Sequence, residues 1–255
     1  KHLFYITKIS ILVFGFFLVN FSVKAESNSK KTSVSPGVIF QILASELSII
    51  SGNIPAAAAT YVDIAERTND VEAAKRATEL SLTIGDHDTA LKTAKIWKNN
   101  AMNDSDAIEA VDALQLVLGK TDELIRSMLT RRMTAQNDQT LDIFYTRLAS
   151  LVRKARDPRT GLLIFEEVSK EDRNLPEVLY TSALLHFNDG DVKKMELLLR
   201  KLIDIKPDHA NALNALGYSL ADRGENLFEA KRLIKAAMIF SCLLYTSDAA
   251  DDVRG

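Results

Sequence analysis

The chain has 255 residues, 47% hydrophobic and 26% charged, which is enough apolar material for a sizeable core and too much for a disordered chain. Ten glycines and five prolines are few for a chain of this length, which favours helices joined by short turns. A net charge of -2 and a pI near 6.1 lack the basic footprint of a nucleic-acid binder.

The first element is a targeting segment. Lys1 and Lys8 give a positive start, and Ile9 to Phe21 is apolar except at Ser10, Gly15 and Asn20. Val23-Lys24-Ala25 then supplies the small residues of a cleavage site, so residues 1–25 are expected to be a secretory signal peptide cut after Ala25. The apolar run is short for a membrane anchor, which needs roughly 20 residues. Cleavage leaves 29 basic against 34 acidic residues, a net charge of -5. The expected location is therefore the periplasm. The single cysteine, Cys242, lies far from the cut, so no lipid acceptor stands there and no internal disulfide is expected.

Residues 26–37 are polar and rich in Ser and Lys and are expected to be a flexible linker. From Val38 the chain repeats. Gly52, Gly85, Gly119, Gly190 and Gly224 mark turns, and counting each as position fifteen sets unit starts at 38, 71, 105, 176 and 210. A sixth unit fits at 142, with Arg156-Asp157-Pro158 as its turn, and the interval before it is three residues longer, a surplus left to a loop. Small residues recur where two helices would cross: Ser45, Thr78, Ala149, Ala183 and Gly217 at position eight, and Ala57, Ala90 and Gly161 at position twenty, with Ala230 one place late. Large apolar residues fill position twenty-four (Tyr61, Met128, Phe165, Leu199) and position twenty-seven (Ile64, Trp97, Val168, Leu202). Asn53, Asp86, Thr121, Asp157 and Asp191 follow the turns as expected helix caps. Pro207 ends a helix. The unit at 105 is irregular, because Asp112 and Arg131 occupy its core positions.

A 34-residue helix-turn-helix period with these features resembles the tetratricopeptide repeat (TPR). The expected fold is all-α, a right-handed superhelical TPR solenoid of about six units over residues 38–240. The segment 241–255 (SCLLYTSDAADDVRG) departs from the pattern and reads as an artefactual tail, translated from an adaptor.

Two stretches carry a narrower resemblance. The segments 38–82 (VIFQILASELSIISGNIPAAAATYVDIAERTNDVEAAKRATELSL) and 176–223, above all NALNALGYSLADR at 211–223, resemble a Gram-negative outer-membrane TPR lipoprotein. That family serves as adaptor of a periplasmic C-terminal processing protease and brings cell-wall hydrolases to it. The resemblance implies the protease and its substrates as protein partners, and an outer-membrane association. The lipid-bearing cysteine of that family is missing here, and its members are longer.

No catalytic or cofactor motif competes with this. Gly119-Lys120-Thr121 lacks the first glycine of a phosphate loop, since Leu114 stands at that position. Asn188-Asp189-Gly190-Asp191 lacks the remaining ligands of a calcium loop. His2, His87, His186 and His209 are too scattered for a metal site, and the acidic pair Asp251-Asp252 sits in the off-pattern tail. Catalytic residues, metal and cofactor are all expected to be absent. An enzyme carried on a helical scaffold and a purely structural spacer remain as alternatives. The expected protein-binding groove is the concave face of the first helices. It draws Thr146, Ser150, Arg153 and Lys154 from the unit at 142, Glu177, Tyr180, Leu184 and Phe187 from that at 176, and Asn214, Tyr218 and Asp222 from that at 210. Tyr180 and Phe187 could equally pack between helices.

Overall fold

The computed structural model describes residues 35–252, apart from 102–103 and 136–137. The expected signal peptide, most of the linker and the last three residues lie outside the described residues. Among these, the regular elements are helices alone. They are α1 (Pro36–Ile50), α2 (Ile54–Thr68), α3 (Val71–Thr83), α4 (His87–Asn100), α5 (Ser105–Val117) and α6 (Thr121–Thr134). The second half holds α7 (Asp138–Val152), α8 (Pro158–Val168), α9 (Pro176–Asn188), α10 (Val192–Ile205), α11 (Ala210–Asp222) and α12 (Leu227–Asp252). Consecutive helices pair into six hairpins, each packed on the next, so the fold is an all-α TPR solenoid.

The turn chemistry explains the period. All five turn glycines have positive φ, from 67° to 86°, a region where a Cβ is penalised. The residue after each glycine donates its N–H to a carbonyl five residues back, as Asn53 does to Ser48 and Asp191 to His186. The helix end is thereby closed in a Schellman-type turn. After Gly52, Gly85 and Gly190 the next helix starts at once, capped by that same residue: Asn53 accepts from the Ala56 N–H, Asp86 from Thr89 and Asp191 from Lys194. Asp157 caps α8, with Pro158 at its first position.

Thr121 departs from its expected role. Lys120 occupies the cap position of α6 and supplies no side-chain acceptor, while the Thr121 hydroxyl turns back to the Gly119 carbonyl. Thr121 stands two residues after its glycine, where Asn53, Asp86 and Asp191 stand one after.

Three boundaries differ from the sequence pattern for local reasons. Helix α1 begins at Pro36, two residues inside the expected linker, because Ser35 caps it through the Val38 N–H. The surplus before the unit at 142 is not all loop, since α7 starts at Asp138, about one turn early. The late position of Ala230 follows from a longer last turn, where Asn226 adopts φ 40° and α12 begins three residues after Gly224. Helix α12 continues to Asp252, through most of the off-pattern segment.

The core forms where the repeat places it. Ala57, Ala90, Ala183, Phe165, Leu199 and Leu202 are fully buried. Gly161 and Gly217 mark close helix approaches: a Cβ at Gly161 would lie 2.5 Å from the Val152 carbonyl oxygen, and one at Gly217 2.8 Å from Ile234 Cγ1 and 3.0 Å from the Ala230 carbonyl oxygen. Ion pairs tie successive units together. Arg76 reaches Glu46 at 3.1 Å, Lys95 reaches Glu123 at 2.8 Å and Arg200 reaches Glu229 at 2.6 Å. A denser knot joins the third and fourth units, where Asp172, in the 3-10 turn after α8, accepts from both Arg132 and Tyr145.

Candidate protein-binding face

The first helices of the hairpins carry two hollows. One, of about 210 Å³, lies between α9 and α11. Leu184 and Phe187 line it from α9, Tyr218 and Asp222 from α11, and Met195 from α10. Phe187 is 52% exposed and Tyr218 66%, although both are large aromatic side chains. Arg223 stands at the edge, held by the Ser219 hydroxyl at 2.7 Å and by the carboxylates of Glu225 and Glu196.

Four of the expected groove residues thus come together here. Tyr180 does not join them. It is half-buried against the His209 ring, with centroids 5.2 Å apart, and packs on the core beside α11. Burial, and then the nearby Glu177 charge, push its phenol pKa up. Glu177 and Asn214 are exposed but outside the hollow.

The second hollow, of about 530 Å³, lies between α5, α6 and α7. Ser150 and Lys154 line it as expected groove residues, whereas Thr146 and Arg153 are exposed elsewhere. Its other lining was missed: Asp112, Met128, Arg131, Ile143, Phe144 and Arg147. The irregular third unit supplies its polar centre. Asp112 is 4% exposed and pairs with Arg131 Nη2 at 2.7 Å. Burial raises the Asp112 pKa, and the Arg131 charge only partly opposes it. Asp112 Oδ1 and Arg131 Nε are buried with no hydrogen-bond partner among the described residues. The sequence did signal this site, since a charged pair stood at two core positions.

Among the described residues, no group of three or more His, Cys, Asp or Glu is placed to hold a metal ion. None of their helices is long and apolar enough to cross a membrane. His186 is buried beside Glu166, with Nε2 and Oε1 3.1 Å apart, and His87 turns to the Gly85 carbonyl. The His186 contact crosses from α9 to α8, and its Nδ1 is buried with no hydrogen-bond partner among the described residues, whereas His87 is engaged within its own turn.

No family model matches the chain. It is 35% identical over 124 residues to TPR repeat-containing protein PA4667 of Pseudomonas aeruginosa. The match covers 48% of this chain and 20% of that protein, so the chain spans about a fifth of the relative's length. The repeat class of that relative agrees with the helix geometry described above. Among solved structures, the chain is similar to YrrB, a TPR protein with an unusual peptide-binding site, at 18% identity and a TM-score of 0.36, over 70% of this chain and 91% of that one. It is also similar to the C-terminal part of a TPR repeat-containing protein from Cytophaga hutchinsonii, at 14% identity and a TM-score of 0.40, over 79% of each chain. The architecture rests on this chain's own helices rather than on these two likenesses.

Proposed function

We propose that the chain is an exported protein-binding scaffold or adaptor that docks a periplasmic partner on the face of its first helices. The observation that carries this reading is the hollow between α9 and α11. Phe187 and Tyr218 are 52% and 66% exposed there, and Asp222 and Arg223 flank them. Aromatic side chains beside fixed charges are the composition of protein interfaces. The apolar segment Ile9 to Phe21, followed by Val23-Lys24-Ala25, supports export. The stretches 38–82 and 176–223, through the family they resemble, support a C-terminal processing protease as the partner and an association with the outer membrane.

The test is capture from a periplasmic extract, with the chain lacking residues 1–25 as bait, beside Phe187→Ala and Tyr218→Ala variants. The expected result is recovery of a C-terminal processing protease by the parent chain and its loss with either variant. Folded bait that recovers no protease overturns the adaptor reading. Equal recovery by the variants removes the hollow between α9 and α11 as the docking site.

A further inference from the structure

Positions eight and twenty-seven hold a small and a large apolar residue in four of the units: Ser45 and Ile64, Thr78 and Trp97, Ala149 and Val168, Ala183 and Leu202. The third unit holds Asp112 and Arg131 there instead. The junction beyond it is also different. Helix α2 lies along α3 and α4 along α5, but α6 meets the next unit mainly through α8. The result is the hollow of about 530 Å³ between α5, α6 and α7. That size is typical of ligand cavities, as is an apolar wall with a few polar groups.

The groups in this hollow define what fits it. Met128, Ile143, Phe144, Leu148 and Leu151 make the apolar wall. Asp112 Oδ1 is a buried acceptor without a donor, the kind of group that native interiors rarely leave unmet. Two acids and three bases line the space. Asp112 pairs with Arg131 and Glu109 with Lys154, at 2.7 and 3.5 Å, so among the described residues that line the hollow no carboxylate is left to pair with Arg147. A ligand for this hollow is therefore apolar and carries one carboxylate.

The spacing narrows the class further. Ile143 and Phe144 lie four and three residues before Arg147 on α7, which puts them about 5–6 Å away along one helix face. In an extended peptide, side chains two residues apart share a face at about 7 Å. We propose that this hollow anchors an extended segment of a partner protein with an apolar side chain at one position and Asp or Glu two residues on. The apolar side chain sits on Ile143 and Phe144, and the carboxylate meets Arg147. This rests on the protein-binding reading above and adds a second, chemically defined contact to it.

The test uses the full chain and a fluorescein-labelled pentapeptide, Gly-Phe-Ser-Glu-Gly with an amidated end, titrated by fluorescence polarisation. Replacing the peptide Glu by Gln is expected to weaken binding about three- to tenfold, the size of one partly exposed charge contact. Arg147→Gln is expected to weaken binding equally and to erase the Glu-over-Gln preference. Ser150→Trp, which fills the hollow from its exposed side, is expected to abolish binding. Tyr218→Ala, in the other hollow, is expected to leave binding unchanged. Circular dichroism checks that each variant is folded.

No saturable binding to the parent chain overturns the proposal, and so does a Glu preference that survives Arg147→Gln. A free-acid peptide ending at Phe that binds as well as the pentapeptide makes the anchor a chain end and overturns the spacing. Protease capture without probe binding sinks this site alone. Probe binding without protease capture sinks the adaptor reading and leaves this site standing.

Discussion

Replacing Asp112 by Ala and Arg131 by Leu, singly and together, asks what the buried pair of the third unit does for stability. Arg131→Leu leaves a carboxylate that is 4% exposed without its cation. Removing one partner of a buried pair costs about 3–5 kcal/mol. Asp112 can escape part of that cost by taking up a proton, since burial already raises its pKa, so the lower end, about 3 kcal/mol, is expected. Asp112→Ala leaves a guanidinium whose side chain is 31% exposed and reaches water, so the expected cost is smaller, about 1–2 kcal/mol. The double variant restores the pattern of Ala183 and Leu202 and is expected to be neutral or stabilising by about 1–4 kcal/mol. For a chain of this length, 1 kcal/mol moves Tm by about 2–4 °C. Arg131→Leu should then lower Tm by about 6–12 °C, Asp112→Ala by about 2–8 °C, and the double variant not at all. Thermal denaturation followed by far-UV circular dichroism at neutral pH measures all four proteins. The pH dependence adds a second reading. A carboxyl whose folded pKa lies above its unfolded value of 3.8 burdens the fold only as pH rises through the folded value. Any advantage of the double variant should therefore shrink in acid. A double variant as unstable as the sum of its singles would refute this account of the pair.

Three further outcomes follow from the packing. Asp172→Ala removes the acceptor of both Arg132 and Tyr145 and should destabilise by about 3 kcal/mol in the same thermal assay. The Arg132 hydrogen bond, opposed by burial, holds the Asp172 pKa down, so its contribution is full above 3.8 and lost as pH falls through the lowered value. The gap between Asp172→Ala and the parent chain should thus close in acid. Gly217→Ala should destabilise by about 1–3 kcal/mol, because the new Cβ meets the Ala230 carbonyl and α11 must part from α12; an unchanged Tm would show that the crossing yields freely. His209 Nδ1 accepts the Ala212 N–H at the start of α11, and burial pushes its pKa down from 6.5. Its contribution is present above 6.5 and lost as pH falls through the lowered value, so His209→Asn, which keeps an acceptor, should flatten the stability slope below pH 6.5.

The fold was legible because each unit states its geometry several times over. A glycine at position fifteen sets a positive φ in five units, the next residue caps the following helix in three of them, and small residues at positions eight and twenty let the two helices touch in several. These signals agree in register, and that is how a sequence specifies one arrangement. The boundaries that slipped are those where one signal is silent. No turn glycine precedes α1 or α7, and at the last turn Asn226 takes up one extra residue, so the helix starts there depended on backbone detail that spacing does not carry.

The candidate site was legible only in part, and for a different reason. Position counting assumes that every junction closes alike. It brings Leu184, Phe187, Tyr218 and Asp222 together where α9 and α11 follow the repeat, but it cannot tell that Tyr180 will lean on His209 instead. At the third junction the assumption fails. Asp112 and Arg131 look like noise in a core pattern until the helices show them paired, with one atom of each left unmet beside a hollow. A repeat protein spends most of its residues on stacking, and a unit that departs from the stacking pattern yet stays folded has a reason to differ. The departure is a buried ion pair, which offers little stability over the apolar pair it replaces, so that reason is better sought in binding than in packing.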